Sequence, residues 1–375
     1  MRPETETDLA EMVAAASGPL HIRGGSTRGQ GTPVGAVLET GGLSGITLYE
    51  PGALTMVAQA GTPLAEIEAA LDAENQRLAF EPMDHRPLLG TTGTPTIGGV
   101  VAANVSGPRR IQAGACRDFM LGVRFVDGRG NVIKNGGRVM KNVTGYDLVK
   151  LLTGSRGTLG ILSEVSFKVL PKPEFSATLC LHGQDVDAAV RAMAQAAGSP
   201  YEVTGLAVAP LASGEVPVTL MRLEGFETSV RYRLGAVRTL MAGQAEMTTL
   251  EGAQSAEIWE GVRDVAAFAQ EPGDVWRISV TPGDAPGMIA RMGKDAHTLL
   301  DWAGGLIWVR VAAGTDLRAR LGGFSGHATL VRGGDATRAS LPVFHPEPAP
   351  LAQISAGLRA RFDPRGILNP GLMGA

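Results

Sequence analysis

Residues 94–110 read TPTIGGVVAANVSGPRR and place two glycines before a short apolar segment. The pattern predicts a small helix over Val100 to Ala103 that Gly98 and Gly99 open, and the N-terminal amides of such a helix can face an anion. The following residues that could contact a phosphate are Asn104, Ser106, Gly107, and Arg109 or Arg110. The stretch is a candidate phosphate-binding segment. The alternative is a capped core helix with an ordinary loop.

Two further glycine loops accompany this segment. Arg23-Gly24-Gly25-Ser26-Thr27 follows a predicted strand, and small residues there can turn their N–H groups toward phosphate oxygens. A plain tight turn is the alternative. The third loop, GSRGTLGI at residues 154–161, leads into another strand. The glycine spacing fits neither the Rossmann fingerprint nor the P-loop. Three such loops suit a dinucleotide better than a mononucleotide.

Composition narrows the class of protein. The chain has 375 residues, a formal net charge of −3 and two cysteines, Cys116 and Cys180. The lack of a basic stripe argues against a nucleic-acid partner. Two isolated cysteines exclude a disulfide framework, a zinc site and an iron–sulfur cluster held by this chain alone. No apolar run approaches the roughly 18 residues of a membrane span, and the N-terminus lacks a signal-peptide core. We therefore expect a cytoplasmic protein that reaches the inner face of a membrane only through partners.

The length allows two packed domains. A strand predicted over Thr158 to Leu170 ends at Pro171-Lys172-Pro173, which marks a boundary. We predict a first domain over residues 1–173, a second α+β domain over 174–345, and a C-terminal helix and tail over 346–375. Further local predictions are a helix over Asp8 to Ala16 capped by Asp8, hairpins over residues 46–58 and 123–134, and a helix capped by Thr62 that buries Leu64, Ile67 and Leu71 on one face.

In this order and at this spacing, the three loops resemble the FAD-binding domain of the vanillyl-alcohol oxidase family, also called the PCMH-type fold, over residues 3–173. FDPRGILNPG at residues 362–371 resembles the closing motif of the same family. The resemblance implies an α+β chain with a PCMH-type two-part FAD-binding domain, a smaller α+β cap domain, and a C-terminal tail that returns to the FAD domain. KNVTGYD at residues 141–147 and the short second half resemble the FAD-binding subunits of glycolate oxidase.

The resemblance also assigns residues to FAD. The pyrophosphate would lie between Arg23 to Thr27 on one side and Thr96 to Gly99 with Asn104 to Gly107 on the other. Ile161 would meet the adenine end by backbone contact. The full set is Arg23, Gly24, Gly25, Ser26, Thr27, Pro82, Asp84, Thr96, Ile97, Gly98, Gly99, Asn104, Ser106, Gly107, Arg109, Gly157, Gly160 and Ile161. Some family members attach the flavin to a histidine in the first glycine loop. No histidine lies in that loop here, so we expect non-covalent FAD.

Residues for substrate chemistry are harder to find. Oxidation of a 2-hydroxy acid calls for an arginine that holds the carboxylate and a base that takes the hydroxyl proton. Arg310 and His327 are candidates, against the alternatives of a solvated strand charge and a turn residue. None of the six histidines has metal-ligand spacing, so no metal is expected.

Three hypotheses follow. The first is an FAD-carrying subunit of a multi-subunit 2-hydroxy-acid dehydrogenase acting on glycolate. The resemblance then implies two partners, a second FAD subunit that could bind the substrate and an iron–sulfur subunit that takes the electrons. The second is a self-sufficient FAD oxidoreductase acting on another small hydroxy acid or alcohol. The third is a non-catalytic assembly module of such a complex.

Overall fold

The structure, a computed structural model, describes residues 1–29, 34–138, 145–211 and 214–373. The run at residues 141–147 that carried part of the resemblance therefore lies largely outside the described residues. The described chain forms mixed helices and sheets, in two parts that each contain a sheet of their own.

The first part is built around an antiparallel five-stranded sheet with the order β3-β4-β8-β6-β7. Its helices are α1 (Glu6–Ala15), α2 (Leu64–Ala73), α3 (Arg86–Leu89), α4 (Ile97–Ala102), α5 (Arg110–Ala113), α6 (Cys116–Phe119) and α7 (Leu148–Leu152). Its strands are β1 (Leu20–Arg23), β2 (Ala36–Glu39), β3 (Ile46–Glu50), β4 (Thr55–Gln59), β5 (Gln76–Arg77), β6 (Met120–Val126), β7 (Val132–Gly136), β8 (Ile161–Lys168) and β9 (Leu170–Pro171). Both predicted hairpins are present, as the pairs β3–β4 and β6–β7.

The second part contains an eight-stranded sheet with the order β13-β10-β12-β11-β15-β16-β14-β17. Its strands are β10 (Phe175–His182), β11 (Gly205–Ala209), β12 (Val218–Gly225), β13 (Glu246–Glu251), β14 (Asp274–Val280), β15 (His297–Asp301), β16 (Leu306–Val311) and β17 (Gly326–Arg332). Its helices are α8 (Val186–Ala197), α9 (Glu227–Leu240), α10 (Gly252–Asp264), α11 (Ala285–Met292), α12 (Leu317–Leu321) and α13 (Asp335–Ser340). Because the strands alternate their side chains between two faces, one face can pack on helices while the other faces the first part.

Two apolar clusters show this division of the sheet. One contains Leu179 and Trp276 of the sheet together with Met193 of α8 and Leu234 of α9. The other joins residues of both parts, among them Phe80, Phe125, Phe167, Trp259 and Trp308. The second part is therefore packed on the first through a shared core, and the face of the sheet that carries Trp308 lies against the first part.

The C-terminal segment returns to the first strand. After helix α14 (Ala349–Phe362), the N–H of Leu20 donates to the carbonyl oxygen of Ile367 at 2.7 Å. The N–H of Asn369 donates back to Leu20 at 3.0 Å, and its side-chain Oδ1 accepts from the N–H of Ile22 at 2.7 Å. These bonds hold Asn369 next to the loop that follows β1.

Two predicted helix caps are wrong. Thr5, not Asp8, caps α1: its hydroxyl accepts from the N–H of Asp8 at 3.1 Å, and the Asp8 carboxylate accepts from the N–H of Thr5 at 3.0 Å. The N-cap position of α2 is Pro63, not Thr62. The Thr62 hydroxyl does not cap the helix, because it donates to the carbonyl of Gln59 at 2.7 Å. The apolar face of α2 is as predicted, since Leu64, Ile67 and Leu71 are all buried.

Candidate functional site

The loop after β1 lines a pocket with free backbone donors. Among the described residues, no oxygen accepts a hydrogen bond from the N–H groups of Gly24, Gly25, Ser26 or Thr27. Ser26 has φ of 57°, the left-handed conformation typical of such anion-binding turns. A Cβ atom at Gly25 would overlap the carbonyl oxygen of Thr94. The loop therefore offers consecutive N–H groups to an anion and requires glycine at its second position.

The opposite wall is formed by Thr96, Gly98 and Gly99 of the TIGG segment. The prediction that the first amides of α4 receive the anion is wrong. The Gly98 N–H donates to the carbonyl of Ala60 at 2.8 Å, and the Gly99 N–H donates to the hydroxyl of Thr96 at 3.3 Å. The carbonyl oxygen of Ala60, which directly follows β4, therefore accepts the hydrogen bond from the N–H of Gly98 that an anion would otherwise accept. These glycines contribute a close backbone approach rather than donors.

Two half-buried arginines complete this pocket, Arg28 and Arg156. Burial lowers the pKa of Arg28 to about 10 and that of Arg156 to about 9. Both remain cations at neutral pH. The Nε of Arg28 donates to Nδ1 of His85 at 3.3 Å, and no described carboxylate lies within 4.0 Å of its guanidinium. The sequence analysis missed both arginines, although each lies in or directly after a glycine loop.

The third loop and the C-terminal tail close the pocket. Gly157, Gly160 and Ile161 line it, together with Asn369. The Asn369 amide donates to the carbonyl of Arg156 at 2.9 Å, and a Cβ at Gly157 would lie 3.1 Å from that amide nitrogen. The GSRGTLGI loop and the closing motif therefore meet at one wall of the same pocket.

A second cavity of about 560 Å³ adjoins the pocket, between the two parts of the chain. Arg28, Ala103 and Arg156 line both spaces. Asn104, Ser106 and Gly107 of the first part line one side of the cavity. The other side is a face of the eight-stranded sheet, where two cross-strand rows run across β15, β16, β14 and β17. The first row is Asp301, Leu306, Ser279 and His327, and the second includes Trp308, Arg277 and Thr329.

This cavity carries an excess of positive charge. The guanidinium carbon of Arg110 lies 4.5 Å from the ring centroid of Trp302, and that of Arg277 lies 5.0 Å from it. Among the described residues, no carboxylate forms an ion pair with either arginine. Burial raises the pKa of Asp301 to about 7, so this one acid is only partly ionised at neutral pH and cannot balance both arginines. Burial, with the charge of Arg277, lowers the pKa of His327 and favours its neutral form.

Four sequence-predicted residues do not reach either space. Pro82 and Arg109 lie beside the ion pairs between the two parts, and Ile97 is fully buried in the core. Asp84 pairs with Arg86 at 2.8 Å. Arg109 forms ion pairs with Glu81 and Glu224, which satisfy its guanidinium. Its neighbour Arg110 points into the cavity instead.

Arg310 is also placed differently from the expectation. Its guanidinium donates to the carbonyl of Pro272 at 3.1 Å and lies 3.9 Å from Glu271. It does not line the cavity, because it sits two residues beyond Trp308 along β16. His327 does line the cavity, opposite Ser279 in the sheet.

Residues 1–29, 34–138, 145–211 and 214–373 contain no group of three or more His, Cys, Asp or Glu side chains that could hold a metal ion. No helix in these ranges is both long and apolar enough to cross a membrane.

Comparison with known proteins assigns the chain to a family. The family model "FAD binding domain" matches residues 1–136. Glycolate oxidase subunit GlcE of Escherichia coli (strain K12) is 37% identical over 95% of this chain and 92% of its own length. The chain belongs to the GlcE family. It is an FAD-dependent oxidoreductase with the predicted PCMH-type α+β fold.

Other similarities are more limited. Glycolate oxidase subunit GlcD of Bacillus subtilis (strain 168) is 43% identical over 26% of this chain and 20% of its own length. A solved alkyldihydroxyacetonephosphate synthase superposes with a TM-score of 0.71 over 99% of this chain and 76% of its own, at 16% identity. That similarity shows a common fold.

The residues of this GlcE-family chain fit FAD. Free N–H groups at 24 to 27 and the cations Arg28 and Arg156 suit a pyrophosphate. A Cβ atom at Gly24 would lie 2.6 Å from the Thr96 hydroxyl, so the two walls approach too closely for a side chain there. The adjoining cavity is the space that a ring system extending from this pocket would enter.

Proposed function

We propose that this chain is the FAD-carrying subunit of a multi-subunit dehydrogenase that oxidises a small 2-hydroxy acid, with glycolate as the substrate. The observation that carries the proposal is the continuity of two spaces. A pocket suited to a pyrophosphate opens past Arg28 and Arg156 into a cationic cavity between the two parts of the chain. An FAD placed across them would meet an acidic substrate in the cavity.

Bound flavin supplies the two-electron oxidation of the carbon that carries the hydroxyl group. The chain's own residues would do the rest. Arg28 and Arg156 hold and neutralise the negative charge of the cofactor. The cationic cavity between the two parts of the chain attracts a carboxylate. His327 lines the cavity, and because burial lowers its pKa, its neutral form can accept the hydroxyl proton.

The names of two relatives support the choice of partners. The E. coli relative is named as a subunit of glycolate oxidase, and the similarity to GlcD indicates a related second flavoprotein. We infer a complex of this chain with a second FAD subunit and an iron–sulfur subunit that takes the electrons onward. Any membrane contact would be made by these partners.

The experiment is co-expression of the chain with its partner subunits, followed by visible absorbance before and after anaerobic addition of glycolate. We expect bound flavin that glycolate bleaches. A complex that contains flavin but is not reduced by glycolate, lactate or another 2-hydroxy acid would refute the proposal.

The mode of attachment has its own test. His21 lies in β1 and lines the pocket, whereas the glycine loop itself contains no histidine. We expect acid precipitation to leave FAD in the supernatant and the precipitated chain free of flavin fluorescence. Fluorescence that stays with the denatured chain would show a covalent link.

A self-sufficient enzyme is the second candidate, favoured by the arginines and the histidine of the cavity. Anaerobic reduction of the flavin in the isolated chain distinguishes it from a partner-dependent subunit. In the first case a hydroxy acid bleaches the flavin without any partner.

A further inference from the structure

We propose that Arg110 and Arg277, placed against Trp302, form the carboxylate-binding subsite of this chain for a small 2-hydroxy acid. The inference rests on the proposed function and adds that the substrate binds here rather than only on the partner flavoprotein. It also assigns Trp302 as the residue that positions the two arginines.

The first support is that neither cation forms an ion pair, with Asp301 near Arg277 and Asp118 near Arg110 acting only from beyond ion-pair distance. Arg277 lies on β14 and Arg110 on α5, and neither has an ion pair or a side-chain hydrogen bond among the described residues. By contrast, Arg109 is fully paired one residue earlier. Burial, followed by the charge of Arg110, lowers the pKa of Arg277 to about 10. Two like charges held against one indole ring in a partly buried space repel each other, and an anion that binds them would offset that cost.

The second support is the way in which Trp302 is fixed. Its backbone N–H donates to the Asp301 carboxylate at 2.7 Å, and its indole Nε1 donates to the carbonyl of Gly107 at 3.0 Å. Trp302 and Ala303 have φ of 53° and 59°, a left-handed conformation that costs energy in residues other than glycine. Strain of this kind persists where the surroundings hold it, and it concentrates at functional sites.

The third support is that different arginines line the pocket and the cavity. Arg28 and Arg156 line both spaces and lie where the cofactor's phosphates are expected. Arg110 and Arg277 line only the cavity. These two arginines are therefore not needed for the cofactor's phosphates and can bind a second anion. The planar guanidinium group of arginine suits the planar geometry of a carboxylate. Since Arg110 comes from the first domain and Arg277 from the second, a bound carboxylate would also tie the two domains together.

The test uses the full chain with FAD bound and oxalate as an unreactive probe. The dissociation constant for oxalate is measured by calorimetry and by the perturbation of the flavin spectrum. We expect Arg110→Gln and Arg277→Gln each to weaken oxalate binding about 10-fold or more, because each loses charge-assisted hydrogen bonds. The affinity for FAD should stay within about twofold, since Arg28 and Arg156 hold the cofactor.

The matched control is Arg310→Gln. Arg310 lies opposite Val275 in the same sheet, on the same face as Arg277 and two residues along, but it pairs with Pro272 and Glu271 outside the cavity. Oxalate binding should be unchanged in this variant. Equal weakening in all three variants would show a general effect of charge and would overturn the subsite.

A second measurement covers variants that fail to fold. The parent chain should bind oxalate at least about 10-fold more tightly than oxamide, its uncharged analogue. Equal affinity for both would overturn the proposal without any mutation. If the complex oxidises glycolate but Arg110→Gln and Arg277→Gln leave both kcat/KM and oxalate binding intact, the substrate is bound by the partner. The subsite then fails while the proposed function stands.

Discussion

The indole Nε1 of Trp302 donates to the carbonyl oxygen of Gly107 at 3.0 Å and joins the second part of the chain to the SGPRR loop of the first. The N–H of Gly107 donates to the carbonyl of Phe80 at 2.8 Å, and a Cβ at this position would collide with the backbone of Glu81. Gly107 therefore passes between two chain segments and presents its oxygen to Trp302. The sequence analysis assigned Gly107 to the pyrophosphate side of the FAD site. In the structure, its carbonyl oxygen forms part of the contact between the two parts of the chain.

Trp302→Phe should isolate that hydrogen bond. The variant keeps an aromatic ring for Arg110 and Arg277 but loses the indole N–H. We expect the free energy of unfolding to fall by about 1 kcal/mol, the net value of a typical hydrogen bond, beyond the cost of the smaller ring. Trp308→Phe is the control, since Trp308 is 5% exposed and Trp302 6%, and no described residue accepts from its indole. Equal losses in denaturant unfolding of the two variants would contradict the expectation.

Gly25→Ala should abolish tight FAD binding. The added Cβ would overlap the carbonyl oxygen of Thr94, so the loop has to move and its N–H groups lose their alignment. Loss of several hydrogen bonds to charged oxygens, each worth about 1.5 to 3 kcal/mol, predicts a decrease in affinity of about 100-fold or more. Fluorescence titration of the apoprotein with FAD measures this. Gly29→Ala is the control in the same loop, because its Cβ would meet no atom of the described residues within 4 Å. FAD binding by Gly25→Ala at the parental affinity would exclude this loop from the phosphate site.

Local patterns predicted much of the first domain. The spacing of Leu64, Ile67 and Leu71 identified the buried face of α2, and β-branched and apolar runs around turns identified both hairpins. Exact helix starts were less predictable. Thr62 has the side chain of a cap, but the chain turns so that its hydroxyl bonds to the carbonyl of Gln59 instead.

The candidate site was predicted only where it is local in sequence. Glycine-rich loops indicate a backbone that approaches a ligand closely. The sequence alone therefore predicted Gly24, Gly25 and Gly157 as residues of the FAD site. Arg277 and Trp302 could not, because their place in the cavity depends on the register of distant strands. Arg109 and Arg110 are adjacent, and only the packing of the second domain decides which one pairs with Glu224 and which faces the cavity.

Glu224→Gln should destabilise the contact between the domains strongly. The Glu224 side chain is 4% exposed and forms ion pairs with Arg77 at 3.0 Å, with Arg109, and with Arg222 at 3.6 Å. Removing one charge from such a buried group leaves the arginines without compensation, which typically costs about 3 to 5 kcal/mol. Chemical denaturation measures the loss. Glu227→Gln, which removes an exposed partner of Arg231, should leave stability unchanged. A Glu224→Gln variant as stable as the Glu227→Gln control would show that these ion pairs do not hold the interface.

Asp301→Asn should change how stability depends on pH. Burial raises the pKa of Asp301 to about 7 in the folded chain, against about 3.9 in an unfolded one. Between these values the folded state binds a proton that the unfolded state does not, so this group's contribution to stability is present below about pH 4 and is lost as the pH rises through about 7. Asparagine resembles the protonated acid and cannot lose that proton. Relative to the parent, the variant should therefore gain stability by up to about 1.4 kcal/mol per pH unit over this window.

Urea unfolding of both proteins at intervals from pH 4.5 to 8 measures the difference between their free energies of unfolding. The contributions of the other titrating groups are the same in both proteins and cancel in this difference. A difference that does not vary with pH would show that Asp301 is ionised throughout, and that it opposes the charge of Arg277 rather than leaving the cavity cationic.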